Sequence, residues 1–136
     1  MIIEWTDDLA TGSEIIDEQH KELFKRINSL MEACRQGKGK GEIDGIMHFL
    51  DDYVITHFHE EEKYMQEHAY SGYAKHKAEH LLLLENFRIL KAEFENEGPG
   101  FYLVLRTKEL IVHWLLDHIR KVDRSLGAFQ KRAAEL

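Results

Sequence analysis

The 136-residue sequence predicts an all-α fold: an up-down-up-down antiparallel four-helix bundle with an N-terminal arm, forming one domain over residues 1–136. Three observations predict it. Proline, which interrupts helices, occurs once, at Pro99. Glycine clusters divide the chain into four long segments. Each segment repeats apolar residues at three- and four-residue steps, with no strand-like alternation.

The arm, residues 1–12, leads to Ser13, a residue type suited to capping a helix N-terminus. Helix one is expected over 14–36, ending at "GKGKG", with the stripe Ile16, His20, Leu23, Ile27, Leu30, Cys34. Helix two should cover 42–67 and stop before "HAYSG"; its stripe is Ile43, Ile46, Leu50, Val54, His57, Glu61, Met65. Helix three is expected over 73–96, terminated by "EGPG", with Tyr73, His76, His80, Leu84, Phe87, Leu90, Phe94. Helix four should run over 101–132, with Val104, Thr107, Ile111, Trp114, His118, Val122 on its stripe and Asp123 beside it. Short connections make successive helices antiparallel neighbours.

A net charge of -7 and a pI near 5.7 exclude a nucleic-acid partner of the usual basic kind. No run approaches the roughly 20 apolar residues that span a bilayer, so no membrane insertion is expected. The start, "MIIEWTDDLA", lacks the basic flank of a signal peptide. One cysteine, Cys34, rules out an internal disulfide and suits a reducing compartment as an inert buried thiol. A cytoplasmic monomer is the expectation.

Nine histidines are the unusual feature of the composition. One histidine on an apolar stripe is ordinarily a hydrogen-bonded core residue. Here His20, His57, His76, His80, His118 and Glu61 lie on stripes of four different helices, and burying them without a common partner would be costly. Their heights agree. His20 lies 19 residues before Gly39, while His57 and Glu61 lie 18 and 22 after it. His80 and His118 are at similar distances from "EGPG", and His57, Glu61, His76 and His80 flank the turn near Tyr70. At ~1.5 Å rise per residue these groups share one layer, within about two helical turns.

His57 and Glu61 are i and i+4, as are His76 and His80, so each pair projects from one helix face. His118 and Asp123 are i and i+5, about 140° apart on an α-helix. On that geometry they cannot chelate one ion as neighbours, and Asp123 would reach round the layer to a second. Imidazole and carboxylate without thiolate suit iron, zinc, copper or manganese alike. Seven such groups exceed one tetrahedral zinc and fit two octahedral ions. With Glu61, Asp123 and a solvent-derived oxygen bridging, five histidines are left to fill six positions. The vacant position would take a small exogenous ligand.

In these residues the chain resembles the hemerythrin family. The resemblance rests on His20 in "DEQHKEL", H-x3-E from His57 to Glu61, H-x3-H from His76 to His80, and H-x4-D from His118 to Asp123. It implies two non-haem iron ions bridged by Glu61, Asp123 and a solvent-derived oxo or hydroxo group. His76, His80 and His118 would hold the coordinatively full ion, and His20 and His57 the open one, where O2 binds reversibly. Leu23, Trp114 and Leu115 are candidates for an apolar O2 pocket. The implied role is oxygen storage, transport or delivery, with O2 as ligand, an O2-consuming enzyme as one recipient and no catalytic residue. The competing classes are a di-iron redox enzyme (peroxidase, oxidase or nitric-oxide-reducing) and an O2 or redox sensor acting through a separate partner. Ferritin-like di-iron enzymes carry Glu-x-x-His pairs, and none occurs here.

The remaining features read as structural. His48, His59, His68 and His113 fall off the ligand stripes and are expected at the surface. The run Glu60–Glu62 reads as a solvated face except at Glu61. Ser71 stands where the family often has proline, so a less rigid turn is expected there. No role is assigned to the tail "RSLGAFQKRAAEL".

Overall fold

The computed structural model describes residues 3–135; Met1 and Ile2 of the expected arm, and Leu136, lie outside the described residues. The helices are α1 (Glu14–Arg35), α2 (Lys40–Glu67), α3 (Tyr73–Glu97) and a fourth rod in three α segments, α4 (Phe101–Thr107), α5 (His113–His118) and α6 (Arg124–Glu135). Two π turns, Lys108–Val112 and Ile119–Asp123, join those segments. The helices form an antiparallel four-helix bundle in which α1 packs on α2 and α4, and α3 on α2 and the fourth rod.

Local chemistry fixes the ends. Ser13 caps α1 by accepting from the Ile16 N–H. At the other end of α1, Gly37 takes the left-handed conformation (φ 70°), and Lys38 N–H bonds the Ala33 carbonyl at 3.0 Å. α2 ends by the same device with Ala69 in the glycine position (φ 49°), Tyr70 N–H bonding the Met65 carbonyl at 2.9 Å. These bonds hold the turn with serine at position 71. A Cβ in that conformation costs about 1 kcal/mol or more. Ala69→Gly should therefore stabilise the fold by up to about 1 kcal/mol, raising the thermal midpoint by about 4 °C, after glycine's extra unfolded-state entropy is subtracted. A lowered midpoint in a calorimetric scan would contradict this reading of the turn.

The arm is stitched to two helices. The Asn28 side chain donates to the Ile3 carbonyl and accepts from the Ile3 N–H, and Trp5 lies against Phe24. Thr11, through N–H and hydroxyl, donates to Asp17 Oδ1 at 2.9 and 2.8 Å. The tail acquires a role here. A Cβ on Gly127 would sit 2.2 Å from the Thr11 carbonyl oxygen, so only glycine lets the arm cross α6 so closely.

Two apolar clusters sandwich the polar layer. The larger, toward "GKGKG" and "EGPG", contains Ile27, Leu30, Leu50, Phe87, Leu90 and Phe94; the smaller, at the opposite end, is built on Ile16, Met65 and Leu126. On α3 the buried stripe passes through Leu83, with Leu84 only half-buried, one position from the expected residue. Among the described residues no helix is long and apolar enough to cross a membrane.

Candidate metal centre

His20 on α1, His57 and Glu61 on α2, His76 and His80 on α3, and His118 and Asp123 on the fourth rod are each at most 4% exposed. Their donor atoms converge in two groups, His76, His80, His118 and Asp123 in one, and His20, His57 and Glu61 in the other. Each carboxylate also reaches the other group. Asp123 Oδ1 lies 3.0 Å from His76 Nε2 and 3.2 Å from His118 Nε2, while its Oδ2 lies 3.0 Å from His20 Nε2. Glu61 Oε1 is 3.3 Å from both His57 Nε2 and His80 Nε2.

The contact between His118 and Asp123 corrects the expectation that they diverge by 140°. The segment between them is a π turn, in which bonding runs from i to i+5, so residues five apart stack on one face. His113 and His118 have the same spacing within an ordinary α turn, and there the argument from 3.6 residues per turn holds: His113 is exposed. Past the first π turn the buried face passes through Leu115, and Trp114 is half-buried. Thr107 hydroxyl bonds the Leu103 carbonyl, and Asn86 of α3 donates to the Leu110 carbonyl at 2.8 Å within that turn.

Three imidazoles are oriented from behind. His80 Nδ1–H donates to Glu62 Oε2 (2.7 Å), His118 Nδ1–H to Glu79 Oε1 (3.0 Å), and His57 Nδ1–H to Gln19 Oε1 (2.7 Å). The amide of Gln19 is set by its other end, where Nε2 donates to Glu60 Oε2 at 2.7 Å. Because each acceptor claims Nδ1–H, each ring turns an Nε2 lone pair toward the centre. Aromatic rings fix two planes: Phe58 stacks on His80 with centroids 3.7 Å apart, and Trp114 on His118 at 4.5 Å. Sequence reasoning missed Gln19, Phe58 and Glu79 and placed Glu62 on a solvated face. Glu62 is instead largely buried beside His80. Its only sequence signal was its place next to Glu61, one residue further along α2.

Electrostatics keep the donors available. Burial, reinforced by the neighbouring His20, lowers His57 to about 3; burial and the nearby His76 lower His80 to about 2. Both are neutral near pH 7, with lone pairs free. Burial would also lower His118, but the charge of Asp123 and the bonds to Asp123 and Glu79 raise it. Burial and the charge of Asp123 push Glu61 well above the usual carboxyl range. Asp123 is driven well below it, burial being outweighed by His118 and the other facing imidazoles.

The fit to metal follows from what is left unpaired. Among the described residues, every buried side-chain nitrogen or oxygen without a hydrogen-bond partner belongs to His20, Glu61, His76, His80, His118 or Asp123. Buried polar atoms are normally satisfied. Concentrating the whole deficit on converging imidazoles and carboxylates is what a cation-binding centre requires. Leu23 and Leu115 are buried in the larger cluster, whereas Trp114 is half-buried with its face on His118. A separate cleft of about 420 Å³, lined in part by Gln19, Glu60, Tyr64 and Gln130, reaches Glu61 from the surface. His48, His59 and His68 are exposed, and Cys34 lies in the larger apolar cluster, where burial raises its thiol.

Comparison with known proteins agrees with this geometry. Residues 11–129 match the hemerythrin HHE cation binding domain. The chain is 37% identical over 120 residues to a bacteriohemerythrin of Pseudomonas aeruginosa strain LESB58, covering 88% of this chain and 75% of that one. Against the bacteriohemerythrin of Methylococcus capsulatus it is 34% identical over 127 residues, covering 93% and 95%. A crystal structure of wild-type hemerythrin superposes with a TM-score of 0.82 at 32% identity, covering 94% of this chain and 97% of that chain.

Proposed function

Since the chain belongs to the hemerythrin family, we propose that its buried layer holds two non-haem iron ions and binds O2 reversibly, for oxygen storage, transport or delivery. The observation that carries this is the division of donors. His76, His80 and His118 converge with Asp123, only His20 and His57 converge with Glu61, and both carboxylates reach across. On that division Glu61 and Asp123 bridge, and the two-histidine position is one imidazole short. Iron supplies the electrons and the Lewis-acid position that O2 binding needs.

The chain's own residues do the rest. Glu62, Glu79 and Gln19 hold Nδ1 protons, so the rings present Nε2 and cannot turn away. Leu23, Leu115 and the Trp114 ring form the proposed apolar wall, which limits the water and protons reaching the centre. A shell dominated by five imidazoles, with two carboxylates, favours reversible ligand binding over the high-valent chemistry of carboxylate-rich oxidases.

The test is spectroscopic. Iron-loaded, haem-free protein should show a visible ligand-to-metal charge-transfer band that disappears on deoxygenation and returns in air over repeated cycles. Irreversible bleaching in the first cycle would point to a redox enzyme, and no response to O2 would sink the proposal.

A further inference from the structure

The partners behind the imidazoles are distributed unequally. In the three-histidine group, His80 and His118 each donate to a carboxylate, Glu62 and Glu79. In the two-histidine group, His57 donates to the neutral amide of Gln19; each group also holds one imidazole whose Nδ1 has no protein partner, His20 here and His76 in the other. A carboxylate that accepts Nδ1–H draws the proton toward itself and makes Nε2 a stronger electron donor; an amide accepts the same bond with far less charge. Glu62 and Glu79 sit on different helices, α2 and α3, so the asymmetry is not a by-product of one helix face. Glu60 brings a carboxylate within reach of the poorer group, but Gln19 stands between it and His57.

We infer that Glu62 and Glu79 are positioning residues that make the three-histidine position the tighter of the two metal positions, so that it fills first and empties last. This rests on the ligand assignment above and adds a claim that ligand count alone does not make. The order of filling depends on two carboxylates that touch no metal.

Metal-free protein titrated with Co(II) against a chelator tests it without O2 chemistry. The wild type should bind in two steps. At one equivalent, the paramagnetically shifted imidazole N–H resonances should number three, rising to five at two equivalents, matching the histidines of the two groups. Glu62→Gln and Glu79→Gln keep an acceptor for Nδ1–H but remove its charge. Each should weaken the first step about 10- to 100-fold and leave the second within about threefold. The double variant Gln19→Glu/Glu60→Gln moves a carboxylate behind His57 at constant net charge, and should tighten the second step while leaving the first in place. Two N–H resonances at one equivalent, or a first step unchanged in both glutamine variants, would overturn the inference while leaving the ligand reading intact. Failure to reach two ions and five resonances at saturation would overturn the ligand reading, and this inference with it.

Discussion

His118→Ala is expected to abolish stable two-metal binding, lowering the iron content of purified protein from about two ions per chain to about one or none. His118 supplies one of three imidazoles in its group. Its Nδ1 is anchored on Glu79, its ring is stacked on Trp114, and its Nε2 lies against Asp123. Removing it opens the three-histidine position and takes away the neighbour that contributes most to holding Asp123 ionised. Asp123 is then left buried with less positive charge around it, so the damage extends to a residue proposed to bridge both ions. His59→Ala is the matched control. His59 lies two residues from His57 but is exposed on the outer face of α2. Its loss should leave the metal content unchanged, as measured by elemental analysis on protein of known concentration. If both variants lost metal equally, the assignment of inner and outer histidines would be wrong.

That contrast shows what is readable in a sequence of this kind. His57 and His59 separate because an α-helix has a fixed period, and α2 is an uninterrupted α-helix over both. The same arithmetic failed for His118 and Asp123, because the fourth rod leaves that period twice. No local residue type announces a π turn. "HIRKVD" contains neither glycine nor proline, and what offsets the widened first turn includes Asn86, on another helix. The outer partners were hidden for a different reason. Glu79 and Gln19 meet His118 and His57 across helix interfaces, 39 and 38 residues away in the chain. A single sequence carries the stripe that buries a residue, but not the partner a neighbouring helix will present to it. Gly127 is a third case: its need for a bare α-carbon arises only where the arm crosses α6.

The metal-free protein should be acid-labile well above the range where most carboxylates titrate. His57 and His80 have folded values of about 3 and about 2, below the roughly 6.5 of an unfolded histidine. Between those values the unfolded chain binds more protons, so stability rises with pH; it is fully present above about 6.5 and is lost as pH falls. Glu61 opposes this. Its folded value is raised, so above about 4.3 the folded state holds the extra proton, and acidification toward that value is stabilising. His118, raised when folded, contributes in full below about 6.5 and does not change the slope there. Two imidazoles against one carboxyl leave a net difference of about one proton, or about 1.4 kcal/mol per pH unit. From pH 6.5 to 4.5 the loss should be about 2 kcal/mol, since unfolded histidine is only half protonated at the upper end of that range, read from urea unfolding of metal-free protein at successive pH values. Glu61→Gln removes the opposing group and should steepen the loss toward twice that slope. A bound metal should shift the whole transition to lower pH, because protons must then displace an ion from the same lone pairs, and the added stability grows with the ratio of free metal to its dissociation constant. A metal-free protein with flat stability from pH 7 to 4.5 would mean that His57 and His80 reach solvent when the centre is empty, and that the closed layer forms only around its ions.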